Sequence, residues 1–225
     1  MSNDNTTSHA SQDYDVDILA TIPFYPMFRH SAIELLTSLN VPVEAWLDTG
    51  CGTGTLVADA CKVFPHTKFT LADPSEKMLM IARKKFADNA HVAFVESTSQ
   101  SLHYPDNAFD VITAIQSHHY LHEDEKRRTV FNCFRMLKPS GVFITFENIK
   151  PLSEAGIQIG LKRWGKYQRD CGKSAEDVER HIARFGKEYF PISILDHLAL
   201  LRITGFPYVE VLWASYMQAG FYAIK

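Results

Sequence analysis

Ala45-Trp46-Leu47-Asp48-Thr49-Gly50-Cys51-Gly52-Thr53-Gly54 passes from a short apolar run through an acid into three glycines at alternating positions. A run of this kind followed by a helical pattern reads as a buried strand, a turn and a helix start. Glycine lacks Cβ and tolerates positive φ, so backbone can approach a ligand closely at such a turn. The stretch therefore predicts a first strand ending in a nucleotide-cofactor loop, with the rest of the chain as scaffold, lid or substrate platform.

Outward from this loop the pattern alternates. Thr55 to Val63 reads as a helix stopped by Phe64-Pro65, and Phe69 to Ala72 as a second strand ending at Asp73-Pro74. Ser75 is an N-cap for a helix bearing Met78, Leu79, Ala82 and Phe86. Val92 to Val95 predicts a third strand and Asp110 to Ala114 a fourth, followed by a helix over Glu123 to Leu137 with Val130, Phe131, Phe134 and Leu137 inward. Val142 to Glu147 is the fifth strand. After Asn148 the rhythm breaks for about 45 residues of helical character, then resumes with a helix from Ser193 and strands over Tyr208 to Trp213 and Phe221 to Ile224. The short link between these two strands excludes a parallel crossover and predicts an antiparallel hairpin.

The fold expected is α/β: a Rossmann-like, seven-stranded, mostly parallel sheet with an antiparallel C-terminal hairpin and helices on both faces. Residues 1–13 are polar and read as a disordered tail. Residues 14–225 read as one domain, with a cap at 14–42, a core at 43–148, a helical insertion or lid at 149–192, and a last helix and hairpin at 193–225. With 225 residues and a net charge of −3, one domain is favoured and there is no global attraction to nucleic acid or anionic membrane. Cys51, Cys61, Cys133 and Cys171 are scattered without a Cys-x-x-Cys, so they read as reduced thiols rather than a zinc site. The chain has no apolar run long enough for a membrane span, and a cytoplasmic location is expected.

In open α/β sheets ligands sit outside the carboxyl ends of the strands, where strand order reverses. Asp48 to Gly54 leaves the first strand and Gln116 to Tyr120 the fourth, so both border one crevice. Asp73 ends the second strand at the spacing where a carboxylate takes ribose hydroxyls. The glycine spacing differs from the Gly-x-Gly-x-x-Gly of dinucleotide folds, which disfavours an NAD-dependent oxidoreductase.

The segment Leu47 to Gly54 resembles the first motif of class I S-adenosylmethionine (SAM)-dependent methyltransferases, and Ala72-Asp73-Pro74-Ser75-Glu76-Lys77-Met78-Leu79 resembles their ribose-binding segment. Leu102 to Val111 and Arg135 to Gly141 are similar to the family's stretches before strands four and five. This resemblance covers about residues 43–148. It implies SAM as cofactor and S-adenosylhomocysteine as product. Gly50, Cys51, Gly52 and Gly54 would pack on the methionine portion, Asp48 would help hold its amino group, and Asp73, Pro74 and Met78 would take the ribose side. Where the family often has an adenine-contacting aspartate this chain has Thr98, so Thr98, Ser99 and Gln100 are the adenine candidates, with Gln116 on the opposite wall.

Methyl transfer needs positioning and exclusion of water, and a general base is optional. His118 and His119 lie where the methyl should point and are the candidate bases; a structural role is the competing reading. With His122 the run holds an i, i+4 pair but no third ligand, so no metal is assigned. Phe24, Tyr25, Arg29, Trp164 and Tyr189 are the candidate substrate walls. The leading function is methylation of a small molecule. A tRNA-modifying (carboxy)methyltransferase is the alternative with RNA as partner, prompted by a faint resemblance of Ile22-Pro23-Phe24-Tyr25, Tyr167 to Gly172 and the C-terminal residues to carboxy-SAM tRNA-uridine enzymes. A non-catalytic SAM-binding partner subunit is the third reading, and a homodimer is compatible with either enzyme.

Overall fold

The structure is a computed structural model and describes residues 7 and 9–225. Two helices, α1 (Tyr14–Thr21) and α2 (Tyr25–Leu39), precede β1 (Ala45–Thr49), α3 (Thr55–Val63), β2 (Lys68–Asp73), α4 (Glu76–Lys85), β3 (Val92–Glu96) and β4 (Phe109–Ile115). There follow α5 (Glu123–Met136), β5 (Leu137–Asn148), α6 (Glu154–Asp170), α7 (Ala175–Ala183), α8 (Ile194–Thr204), β6 (Tyr208–Ser215) and β7 (Gln218–Ile224). The strands form one seven-stranded sheet in the order β3-β2-β1-β4-β5-β7-β6. Pairing is parallel from β3 to β5 and antiparallel across β5-β7-β6. The hairpin turn holds only Tyr216 and Met217, shorter than the run of apolar residues suggested, because β6 and β7 pair through Ser215 and Gln218.

Successive side chains on a strand point to opposite faces, and here that alternation separates two cores. Trp46, Val111 and Ile144 join Phe28, Val57 and Trp164 in one cluster. Their neighbours Leu47, Ile112 and Phe143 join Cys133, Met136 and Leu201 in the other. Both sheet faces are covered, as a parallel sheet requires. Phe131 is not inward; it is exposed on α5, whose buried stripe is Val130, Cys133 and Met136.

The N-terminal cap and the insertion meet over the first core. Trp164 is fully buried, and its indole Nε1 donates to Thr21 O at 2.6 Å. Tyr167 Oη donates to Leu19 O at 2.8 Å. Part of the tail expected to be disordered, residues 1–6 and 8, lies outside the described residues. The rest departs from that expectation: His9 and Ser11 are buried, since the tail folds back onto α1 and the His9 ring meets Tyr14 edge-on at 6.0 Å.

Gly220 sits opposite Phe146 in the β5–β7 ladder, and a Cβ there would lie 2.3 Å from the ring. Gly220→Ala should lower stability by about 1–3 kcal/mol through overpacking, read as a lower urea midpoint. An unchanged midpoint would show that the Phe146 ring has room to yield.

Candidate functional site

The strand-order reversal between β1 and β4 opens a crevice of about 490 Å³ at the carboxyl ends of the strands. Gly50, Gly52 and Gly54 all have positive φ, at 70°, 54° and 75°. Their surroundings differ. A Cβ on Gly50 would lie 2.4 Å from Ser117 Cβ, and one on Gly54 2.8 Å from the Phe86 ring, whereas one on Gly52 would meet nothing within 4 Å. Gly52 thus presents bare backbone to the open crevice, while the other two let loop and helix pack. The loop is tied to β2 by Gly50 N and Cys51 N, both donating to Ala72 O at 2.8 and 3.0 Å.

Asp73 closes this side. Its carboxylate accepts from Gly52 N and Ser75 N, each at 2.9 Å, and lines the crevice with Pro74 and Met78. Burial pushes its pKa up despite these two donors. Thr98, Ser99 and Gln100 line the next stretch of wall, with the Ser99 hydroxyl hydrogen-bonded to Thr49 Oγ1. Across the crevice stand Gln116, Ser117, His118 and Tyr120. Gln116 holds a φ of 56°, unusual for a side-chain-bearing residue, and its N–H donates to Phe146 O at 2.6 Å.

Not all expected residues reach this wall. Asp48, Cys51 and Gly54 are not among the residues that line the crevice. Asp48 is turned into the sheet, accepting from Thr113 Oγ1 at 2.6 Å, so it does not line the crevice. Burial pushes its carboxyl up to about 7, with Thr113 opposing the rise and Asp73 adding to it.

The two histidines separate. Glu147 is fully buried and accepts from His118 N at 3.1 Å, His119 N at 2.9 Å, Thr145 Oγ1 at 2.7 Å and the His119 ring Nδ1 at 2.6 Å. Burial alone would raise this carboxyl, yet the His119 hydrogen bond and charge, His118 and Thr145 hold it down at about 2. His119 Nε2 meets Asn148 Nδ2 at 3.2 Å. Both His119 nitrogens are therefore engaged, which removes it from the candidate bases. His118 stays in the crevice wall; burial lowers it to about 4, and its Nε2 has no hydrogen-bond partner among the described residues.

Beyond Gln116 and Tyr120 lies a smaller chamber of about 20 Å³. Its walls come from three distant parts of the chain: Tyr14 and His9 in the N-terminal segment, Asn148 at the end of β5, and His181, Arg184 and Tyr189 in the insertion. Tyr189 Oη and both His181 ring nitrogens are buried without partners among the described residues. Of the expected substrate walls only Tyr189 lines this chamber. Tyr25 packs behind it on Phe28 and is hydrogen-bonded to Tyr14, and Trp164 backs it by contacting His181 at 4.8 Å between ring centroids. Phe24 is exposed against Trp213 and Tyr216, and Arg29 is spent on an ion pair with Asp59 at 2.9 Å. Tyr14, Ser117, Tyr120 and Glu147 were not legible as site residues. Only the position of Ser117 and Tyr120 in the loop after the fourth strand offered a signal.

Comparison with known proteins places this geometry. The model of the methyltransferase domain family matches residues 47–141. The ubiquinone/menaquinone biosynthesis C-methyltransferase UbiE of Yersinia enterocolitica is 37% identical over 112 residues, covering 48% of this chain and 44% of that protein. The chain thus spans less than half the length of the curated relatives it matches. Among solved structures, a SAM-dependent methyltransferase of Thermotoga maritima superposes with a TM-score of 0.61 at 19% identity, covering 95% of each chain. The [4+2]-cyclase SpnF gives 0.61 at 20% identity, covering 86% of this chain and 79% of the other. The sequence matches fall on the strands and loops that build the crevice, the solved structures share the fold, and the cyclase shows that this fold alone does not fix an activity.

Asp48 provides a test of the site's electrostatics. Its folded pKa of about 7 lies above the ordinary 3.8, so the folded protein holds a proton that the unfolded chain releases. Its contribution to stability is complete below about pH 4 and is lost as pH rises through 7. Asp48→Asn should flatten the fall in stability between these values in urea titrations at several pH values; an identical slope in both proteins would contradict the buried, protonated Asp48.

Proposed function

We propose that this chain is an enzyme that transfers a methyl group from SAM to a small-molecule acceptor. The observation that carries the reading is the crevice itself, with bare Gly52 backbone on one side, the Asp73 carboxylate beside it and Gln116 opposite. Its volume of about 490 Å³ lies in the range of cofactor sites. The family match over residues 47–141 supports the same assignment.

Bound SAM would supply an activated methyl on a sulfonium. Asp73 would accept the ribose hydroxyls, with lone pairs left after Gly52 N and Ser75 N have donated. Thr98, Ser99 and Gln100 are the candidates for the adenine, and the backbone at Gly50 and Gly52 for the methionine portion. Gln116 and Tyr120 line both this crevice and the small chamber, and the acceptor would sit on the crevice side, beside Ser117 and His118. His118 is the remaining candidate base, held neutral at pH 7 by burial.

The chamber has room for little more than one water as it stands, and it closes the end of the crevice, which favours a small acceptor over a polymer strand. It is roofed by the N-terminal segment and floored by the insertion, and the hydroxyl of Tyr189 and the ring nitrogens of His181 face no partner among the described residues. Buried polar groups of this kind are costly unless a ligand or water satisfies them. A nucleic-acid strand would have to displace the whole roof. The basic residues Lys162, Lys166 and Arg169 are exposed on α6, and Lys166 is paired with Asp170 at 2.5 Å, as on a solvated helix face.

Isothermal titration with SAM, S-adenosylhomocysteine and NAD tests the cofactor: the adenosyl ligands should bind, and binding of NAD alone would overturn the reading. Asp73→Ala should weaken S-adenosylhomocysteine by about 10- to 100-fold, the cost of a ribose left without its acceptor; unchanged affinity removes Asp73 from the site. Incubating the protein and methyl-labelled SAM with fractionated cell extract should place label in small metabolites. Label confined to RNA would contradict a small acceptor.

A further inference from the structure

His118 belongs to two cavities. On one side it lines the crevice; on the other it walls a void of about 10 Å³ between the sheet, α5 and α8, shared with Lys126 and His197. That void is at the lower limit for holding one water, which needs two to four polar partners. The partners are present. His118 Nε2 and His197 Nε2 are both buried and both lack a hydrogen-bond partner among the described residues. Lys126 Nζ donates to Leu121 O at 2.5 Å and to Phe190 O at 2.6 Å, which leaves one of its three N–H groups. Lys126 also lines a second, larger cavity, the groove of about 580 Å³ between α5 and α8 on the outside of the molecule, beside Glu123, Arg127, Arg128 and Asp196.

We propose that one ordered water in this void bridges His118 Nε2 and His197 Nε2, and that His118, the water, His197 and Lys126 form a proton path from the crevice to the outer groove. This rests on the methyltransferase reading. When an acceptor X–H attacks the methyl carbon, the S–C bond breaks and sulfur keeps its electron pair. The X–H proton then has to leave a closed site. His118 takes it at Nδ1 and gives up the proton on Nε2 to the water; Lys126, an ammonium in most molecules at pH 7, first releases a proton to solvent in the groove, and the water and His197 then restore it. Protons and charge balance with no further reactant.

The electrostatics suit such a path. Burial lowers both His118 and His197 to about 4, so each ring is neutral and has one bare nitrogen at pH 7. Lys126 is lowered by burial to about 8, with Glu147, Glu125 and Glu123 opposing the fall. Glu147 and His119 sit on the sheet side, felt by both His118 and His197. Lys126 is thus the member of the path that changes charge near neutrality.

The test is NMR of the full chain with ¹⁵N-labelled histidine, saturated with S-adenosylhomocysteine and titrated through pH 8. The His118 and His197 ring nitrogens should shift together with a common midpoint near the Lys126 value of about 8, and the midpoint should vanish in Lys126→Met. Flat histidine signals in the unaltered protein, or a midpoint that survives in Lys126→Met, would overturn the path. Should Lys126→Met fail to fold, His197→Leu serves instead: it fills the void and should abolish the response of His118, and a persistent response overturns the proposal. Failure of S-adenosylhomocysteine to bind while the histidines respond would count against the methyltransferase reading alone.

Discussion

The structure depends on how closely two loops approach at the point where strand order reverses. Gly50, leaving β1, lies so near Ser117, leaving β4, that a single added carbon would come within 2.4 Å of the Ser117 Cβ. The Ser117 hydroxyl donates to Thr49 O across the same gap. This contact fixes the floor of the crevice. With the two loops joined at their base, their outer parts diverge, and the space between them opens onto bare backbone at Gly52 on one side and the Gln116 wall on the other.

A second constraint holds that wall in place. Glu147 receives four donors, two of them backbone groups of the turn that carries His118 and His119. An ionised carboxylate without solvent is costly unless its lone pairs are filled, and here they are. The network runs on through His119 and Asn148 to Gln218, which donates to Asn148 Oδ1 at 3.1 Å. Strands β5 and β7 are therefore linked to the site by polar groups as well as by packing. The apolar cores set the distance between sheet and helices, and this buried network sets the orientation of the loop that separates crevice from chamber.

The parts of the molecule legible in the sequence are those where a local signal has one physical meaning. Alternating glycines after an apolar run, an acid at the end of the second strand and a link too short for a crossover gave the loop, Asp73 and the hairpin. The parts that were not legible are set by long-range packing. Asp48 looked like a ligand contact, but Thr113, 65 residues away, turns it into the sheet. His118 and His119 are identical in type and adjacent, and only the position of Glu147 separates a satisfied structural histidine from one facing the crevice. Phe24 and Arg29 fall in the segment expected as a cap, yet Phe24 is exposed just ahead of α2 and the Arg29 guanidinium is held by Asp59. The true roof contains Tyr14 and His9, where polar composition hid the two aromatic rings that anchor it.

The central claim is that the crevice between the loops is a SAM site oriented by Asp73. A crystal structure of the protein with S-adenosylhomocysteine examines it most directly. The account predicts electron density for the ligand along the carboxyl ends of β1 and β2, with both ribose hydroxyls within hydrogen-bond distance of the Asp73 carboxylate and the thioether beside the Gln116 wall. Density elsewhere in the molecule, or a ribose turned away from Asp73, would contradict it.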